Sequence, residues 1–309
     1  MKQFLITAED AGIRIDRFLA ARFSSDSRTS IRKWLEQQIV LINGKPAKPA
    51  YKLRTGDSVV IPEIPQRSVV SSELTPWEFP LKILYEDDFL LSIDKPAGIV
   101  VHPGAGVRDH TIAHAALYHV PQIRVVGHPG RPGVVHRLDK ETSGVLLLAK
   151  NQETYLKLVH LFKDRKIQKH YRAAVFGKMA NTHGRIEKAL GRDPLDRKKI
   201  SIRAKTKRPA VTLYHVLKNY EFGALMDVQI LTGRTHQVRV HLASENHPII
   251  GDTKYGGANW NRISDVELRN RLKLAAFFGL HALSLDFAHP ITGKELHLEA
   301  ELPEIWNSL

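Results

Sequence analysis

The chain has no cysteine among its 309 residues, which excludes disulfides, thiolate nucleophiles, zinc fingers and cysteine-ligated iron–sulfur clusters. Long apolar runs are missing too. Leu274–Leu280 is typical of those present, against the roughly 20 residues that a bilayer-spanning helix needs. The opening Met1-Lys2-Gln3-Phe4-Leu5-Ile6 soon meets Glu9 and Asp10, so it does not read as a secretory leader. A soluble, cytoplasmic protein without membrane association is the expectation. No internal repeat or low-complexity tract is visible. Neither a GxxxxGK[ST] phosphate loop nor a Gly-x-Ser-x-Gly elbow occurs. Gly104-Ala105-Gly106 lacks the third glycine of a dinucleotide fingerprint, because Asp109 stands there. His110 and His114 lie four residues apart, but neither an HExxH glutamate nor a third ligand accompanies them. They read as packing or hydrogen-bonding histidines, and no metal site is expected.

What is abundant is positive charge: 46 Lys and Arg against 32 Asp and Glu, a formal net charge of +14. Such an excess suits a polyanionic partner, since binding releases the counterions of a nucleic acid. The length suggests about two domains. In residues 1–62, Ile15, Phe18, Leu19 and Arg22 fit a short helix. A second begins near Asp26-Ser27, both good caps, and puts Ile31, Trp34 and Leu35 on one face. Arg28 and Arg32 share another face, with Lys33 beside them. Val40–Ile42 reads as a strand ending in an Asn43-Gly44 turn, and Ser58–Ile61 as another strand. Residues 63–80, with Pro65, Pro76, Pro80 and Ser68, Ser71 and Ser72, read as a linker. In 81–309 the strand candidates are Leu81–Leu84, Phe89–Ile93, Val145–Ala149, His170–Phe176 and Ala224–Leu231. One clear helix spans about Gln152–Asp164, capped by Asn151. An α+β domain with a mixed sheet is predicted, since strict βαβ alternation is absent. From Arg185 to Arg208 ten Lys and Arg face three acids. That stretch, including Arg197, Lys198 and Lys199, is either a solvated loop face or a phosphate-contacting surface, and we favour the latter.

The nonapeptide His136-Arg137-Leu138-Asp139-Lys140-Glu141-Thr142-Ser143-Gly144 joins turn residues to an apolar strand, which places Asp139 on a loop at a sheet end. Taken by itself, Asp139 between Arg137 and Lys140 is equally an ion-paired surface acid. The nonapeptide resembles the signature of a pseudouridine synthase family whose typical members act on large-subunit ribosomal RNA. The segments Asp94–Gly104, Lys169–Ala173, Thr232–Leu242, Gly251-Asp252 with Tyr255-Gly256, His281-Ala282 and Phe287–Pro290 resemble further motifs of that family, in order. His110 and His114 depart from it, where members usually carry Gly and Asn. Residues 1–62 resemble the alpha-L RNA-binding module. The resemblance implies an α+β catalytic domain with a mixed, mainly antiparallel sheet flanked by helices. It also implies an isomerase that needs no cofactor and has ribosomal RNA of the large subunit or its precursor particles as partner. Monomer is the default expectation.

Making pseudouridine breaks the C1′–N1 bond, turns the base, joins C5 to C1′ and removes the C5 proton. The reaction needs an ionised carboxylate, and the resemblance assigns that role to Asp139. Desolvation favours a neutral carboxyl, and an arginine partner opposes this. The resemblance makes Arg234 that partner. It also implies that Tyr171 stacks on the uracil and is the acceptor of the C5 proton. An ordinary pKa near 10 makes a tyrosine a poor base, so stacking is the safer expectation. Leu242 is expected as the apolar floor, and Arg137, beside His136, fills the space that a flipped base leaves, at an unstacking cost of a few kcal/mol. Val238, Val240 and Leu242 alternate like a strand, whereas the resemblance implies a helix; we take the helix. Arg28, Arg32, Lys33, Arg197, Lys198 and Lys199 are the expected phosphate contacts. Two other functions compete: a synthase acting on tRNA, and a non-catalytic RNA-binding assembly factor.

Overall fold

The computed structural model describes residues 2–23, 28–61, 74–104 and 106–309, without the side chains of 28–30 and 33. The chain divides into two compact units, Met1–Ser71 and Ser72–Leu309. The first contains β1 (Lys2–Leu5), α1 (Ile15–Arg22), α2 (Arg28–Glu36), β2 (Leu41–Ile42), β3 (Lys45–Pro46) and β4 (Ser58–Ile61). Its sheet has the order β1-β4-β2-β3, antiparallel throughout. Asn43 and Gly44 turn β2 into β3 with φ of 50° and 77°, the left-handed geometry that this dipeptide favours in tight hairpins. Asp57 holds the turn before β4, accepting from Arg54 N at 2.8 Å, Tyr51 Oη at 3.0 Å and Asn43 Nδ2 at 2.9 Å. Ile15, Phe18, Leu19, Ile31, Trp34 and Leu35 bury the inner helix faces against Val59 and Ile61. Each such side chain contributes about 1.5–3 kcal/mol relative to exposure. The Asp26-Ser27 cap expected for α2 falls outside the described residues.

The second unit contains β5 (Lys82–Glu86), β6 (Leu90–Lys95), α3 (Ile112–His119), β7 (Gly127–His128), β8 (Arg131–Pro132), β9 (Ser143–Ala149) and α4 (Gln152–Lys163). These are followed by β10 (Gln168–Phe176), β11 (His183–Glu187), β12 (Gly191–Arg192), β13 (Ile200–Ser201), β14 (Val211–Asn219) and β15 (Gly223–Ile230). The last are α5 (Gln237–Ser244), α6 (Val266–Leu274), β16 (Leu280–Ala288) and β17 (Glu295–Glu299). Nine strands form one mixed, mainly antiparallel sheet, β11-β14-β15-β10-β16-β9-β6-β5, with β17 also paired to β16. The parallel pairing in it is β9 with β16, where His281 faces Ser143 and Ala282 faces Gly144. Backbones come very close there: Gly144 has φ 109°, and a Cβ on it would collide with the Ala282 carbonyl. Asn151 caps α4, accepting from Thr154 N at 2.9 Å. The segment expected as a linker over 63–80 is described only from Leu74, and from there it packs on the second unit. Leu74 is buried in that unit's core, and Trp77 N donates to the His114 carbonyl.

Two of the apolar clusters of this unit lie toward opposite ends of the sheet. One joins β6 and β9 to α3 and α4 through Leu90, Ile93, Ile112, Leu146 and Leu158. The other joins β10 and β15 to α5 through Ala173, Met226, Val228, Val238 and Leu242. Tyr171 packs against both.

Candidate active site

The loop from β8 to β9 carries His136–Thr142 to a cavity of about 450 Å³. Asp139, Arg137, His136, Tyr171 and Arg234 all line it, with Phe162, Lys163, Arg165, Lys169, His236, Val238, Arg239, Ile230 and Leu280 among their neighbours. Asp139 is the lone carboxylate of that lining, among six Lys and Arg side chains.

The arginine that holds Asp139 is Arg239, not Arg234. Arg239 Nη1 donates to Asp139 Oδ2 at 2.9 Å. Its Nε and Nη2 grip Asp252 at 2.7 and 2.9 Å. One guanidinium therefore spans two carboxylates, and its five rigidly placed donors make that fork possible. Arg239 is 4% exposed and Asp252 fully buried. The hydrogen bonds and charges of the two carboxylates outweigh burial and push the guanidinium pKa still higher. Its Cζ lies over the rings of Tyr255 and Phe278, 5.2 Å from each centroid. Arg234, in the turn before α5, sends its Nε to the Pro209 carbonyl at 3.2 Å. It faces the cavity without touching Asp139, because the helical turn of 237–244 brings the side chain five residues later onto that carboxylate.

His236 starts α5 with φ 54°. Its Nδ1 meets the Tyr255 hydroxyl at 2.7 Å, and its Nε2 is 3.8 Å from Asp139 Oδ1. Burial lowers its pKa despite the nearby Asp139. Under the loop, Lys95 is completely buried. Its ammonium donates to the carbonyls of Pro96 at 2.7 Å, Ile99 at 2.9 Å and Lys140 at 3.2 Å. Burial draws this lysine down to about 7 against the pull of Glu141, Asp139 and Asp94. Tying the Lys140 carbonyl to β6 fixes the position of Asp139 from below.

Tyr171 lies on β10, half-buried. Burial and the Asp139 charge push its pKa well above the ordinary value, so at neutral pH it presents a ring and a protonated hydroxyl. His136 is turned into the protein: its Nε2 accepts from Leu147 N at 2.9 Å, and its ring stacks on Phe162 at 4.7 Å. Burial takes its pKa down to about 3, so it is the neutral acceptor that the Leu147 bond requires. Arg137 is exposed at the cavity. Leu242, expected as the floor, does not line the cavity. It lies one turn deeper in the core beyond Val238, and Val238, Ile230 and Leu280 supply the apolar surface instead.

Of the expected phosphate contacts, Arg32 is exposed and bound to Glu36 at 2.8 Å, and the side chains of Arg28 and Lys33 lie outside the described set. Arg197, Lys198 and Lys199 sit in the loop of the β12–β13 hairpin, the first two exposed. His110 precedes α3 and stands edge-on to Trp77 at 5.0 Å, while His114 Nδ1 bonds the Thr111 hydroxyl in the cap of that helix. No cluster of three metal-binding side chains occurs among the described residues, and no described helix is long and apolar enough to cross a membrane.

Arg239, Asp252, His236 and Tyr255 escaped the sequence reading although they stand inside segments it singled out. All residues from Gln237 to Leu242 are buried, so α5 has no polar face whose period could be read. The available signal was an Arg in a helix otherwise destined for the core, which demands an anion beside it.

RNA pseudouridylate synthase is the family that matches residues 90–244, and an S4 domain matches residues 13–59. An RNA pseudouridine synthase of Aquifex aeolicus is 38% identical over 99% of this chain and 95% of its own length. The ribosomal large subunit pseudouridine synthase D of Xanthomonas campestris is 37% identical over 98% and 90% respectively. Among solved structures, human RNA pseudouridylate synthase domain containing 4 is similar with a TM-score of 0.56 and 30% identity, covering 74% of this chain and 90% of its own. Human RNA pseudouridylate synthase domain containing 1 gives 0.58 and 25%, covering 74% and 87%. With a lone carboxylate set in a cationic cavity, and with matches of this extent, the chain belongs to the RNA pseudouridylate synthase family and is an RNA isomerase.

Proposed function

We propose that this enzyme isomerises uridines of large-subunit ribosomal RNA, in the loop of helix 69. The observation that carries the reading is Asp139, the lone carboxylate of the cavity lining, anchored by Arg239 at 2.9 Å. The relatives called ribosomal large subunit pseudouridine synthase D support the choice of RNA, and the S4 match supports binding of a structured RNA.

The target uridine leaves its stack and enters the cavity, while Arg137 takes the space beside its neighbours. Tyr171 packs its ring on the uracil, with Val238, Ile230 and Leu280 giving the base an apolar surround. Asp139 acts at the ribose as the C1′–N1 bond opens. The freed uracil, whose N1 keeps the electron pair of the broken bond, turns in place; C5 bonds to C1′, the C5 proton is released to water and N1 takes one up, so the net change is an isomerisation. Tyr171, held protonated by burial and the Asp139 charge, orients the base. Cationic side chains around the cavity, the β12–β13 hairpin and the N-terminal unit contact phosphates, and these contacts offset the few kcal/mol that flipping costs.

The test is tritium release from large-subunit rRNA carrying [5-³H]uridine, with mapping of the new pseudouridines. Release by the wild type, its loss in Asp139→Asn, and products confined to helix 69 are the expected results. Products elsewhere in the rRNA would overturn the site assignment. Release from tRNA alone would overturn the choice of RNA.

A further inference from the structure

Lys169 stands on β10 two residues before Tyr171, so the alternation of a strand puts both on one face, roughly 7 Å apart along the chain. Both line the cavity that holds Asp139. Lys169 is only 7% exposed. Among the described residues no hydrogen bond or ion pair reaches its ammonium. A lysine buried to this degree is ordinarily paired, and an unpaired buried charge is costly. Its surroundings deepen the cost: Lys163, Arg165 and Arg137 line the same cavity. Burial and Arg165 together lower its pKa. The lone acid of the lining, Asp139, already faces Arg239. Lys95, the other buried lysine, answers the same cost with three backbone carbonyls; Lys169 has none. A uracil carbonyl would supply a dipole but no charge, which leaves the repulsion among these cations standing. A phosphodiester supplies the charge, and a lysine serves as a point-charge partner for it.

We propose that Lys169 is the phosphate anchor of the flipped nucleotide, gripping a phosphodiester oxygen of the target uridine or of its immediate neighbour while Tyr171 holds the base. This deepens the function proposed above and rests on it. Loops and the N-terminal unit bind phosphates outside the cavity, where solvent weakens each contact. Lys169, only 7% exposed in the cavity wall, meets its phosphate inside the cavity, so its contact forms only once the nucleotide has been turned in.

The test uses the full chain. Tritium release by the wild type is measured first, and the modified uridine is mapped. Lys169→Met and Lys169→Arg are then compared for KM, kcat and the salt dependence of RNA binding. Lys169→Met is expected to raise KM about tenfold with kcat little changed, the pattern of lost uniform binding. Its slope of log K against log salt falls by about one charge equivalent, and Lys169→Arg restores both. A scan then replaces single phosphates around the mapped uridine with neutral methylphosphonate. One position should weaken the wild type about tenfold and leave Lys169→Met unaffected, since the two losses are the same contact. If every replacement weakens variant and wild type alike, or if Lys169→Met keeps the full salt slope, the anchor is overturned. Should Lys169→Arg fail as Lys169→Met does, a shape role in the strand replaces it. No release by the wild type from rRNA or tRNA would remove the underlying reading and the proposal with it.

Discussion

One guanidinium between two carboxylates sets what single substitutions do. Arg239→Met leaves Asp139 and Asp252 without their shared partner, and stranding a buried charge costs about 3–5 kcal/mol. Urea denaturation should show that loss, and tritium release should vanish with it. Arg239→Lys cannot span both carboxylates, since an ammonium lacks the planar fork, and release should fall steeply even where the variant folds. Arg234→Ala gives up one bond to the Pro209 carbonyl, worth about 1 kcal/mol. It should keep release at saturating RNA. An inactive Arg234→Ala beside an active Arg239→Met would reverse the assignment of the two arginines.

At the level of elements, the β9–β16 seam and the loop before it determine where Asp139 stands. Gly144 is needed there because the Ala282 carbonyl occupies the space of a Cβ and because its φ of 109° is outside the range of other residues. Gly144→Ala should therefore part the two strands and lower stability by several kcal/mol, on the order of a strained core position. Calorimetry should record the fall, and an unchanged melting temperature would contradict it. His136 links the same loop to β9 and α4 through Leu147 N and Phe162. Burial holds its pKa at about 3 in the folded protein against an ordinary 6.5, so the folded state binds fewer protons than the unfolded state between those limits. Its stability contribution is complete above about 6.5 and declines as pH drops toward 3, by at most about 1.4 kcal/mol per pH unit. His136→Phe should flatten this limb of the stability profile, at the cost of leaving Leu147 N unbonded. Denaturation midpoints of both proteins at pH 7 and pH 5 check the difference.

For the whole molecule, a net charge of +14 and two units with separate cores lead to a further expectation. Removal of residues 1–71 should leave a folded second unit, because its apolar clusters draw on none of the described residues among them. RNA binding by the truncated protein should be weaker and less salt-dependent, since fewer phosphates are neutralised. A titration across salt concentrations measures both, and an unchanged slope would mean that the first unit contributes no phosphate contacts.

Much of this protein could be read along the chain because the signals involved are local. Asn151 caps α4 where an N-cap asparagine belongs, Asn43-Gly44 turns a hairpin, and the apolar run before Lys150 is a central strand. Asp139 was likewise legible, as part of a contiguous motif on a loop at a sheet end. Tertiary structure alone decided the parallel pairing of β9 with β16, the anchoring of Asp139 by Arg239 and not Arg234, the depth of Leu242, and the isolation of Lys169. Each of these depends on which distant groups share a low-dielectric interior, where a carboxylate takes the cation that reaches it across 100 residues. Caps, turns and alternation act within a few residues and leave their trace in the sequence; the pairing of buried charges is settled by proximity in space, for which chain spacing has no code.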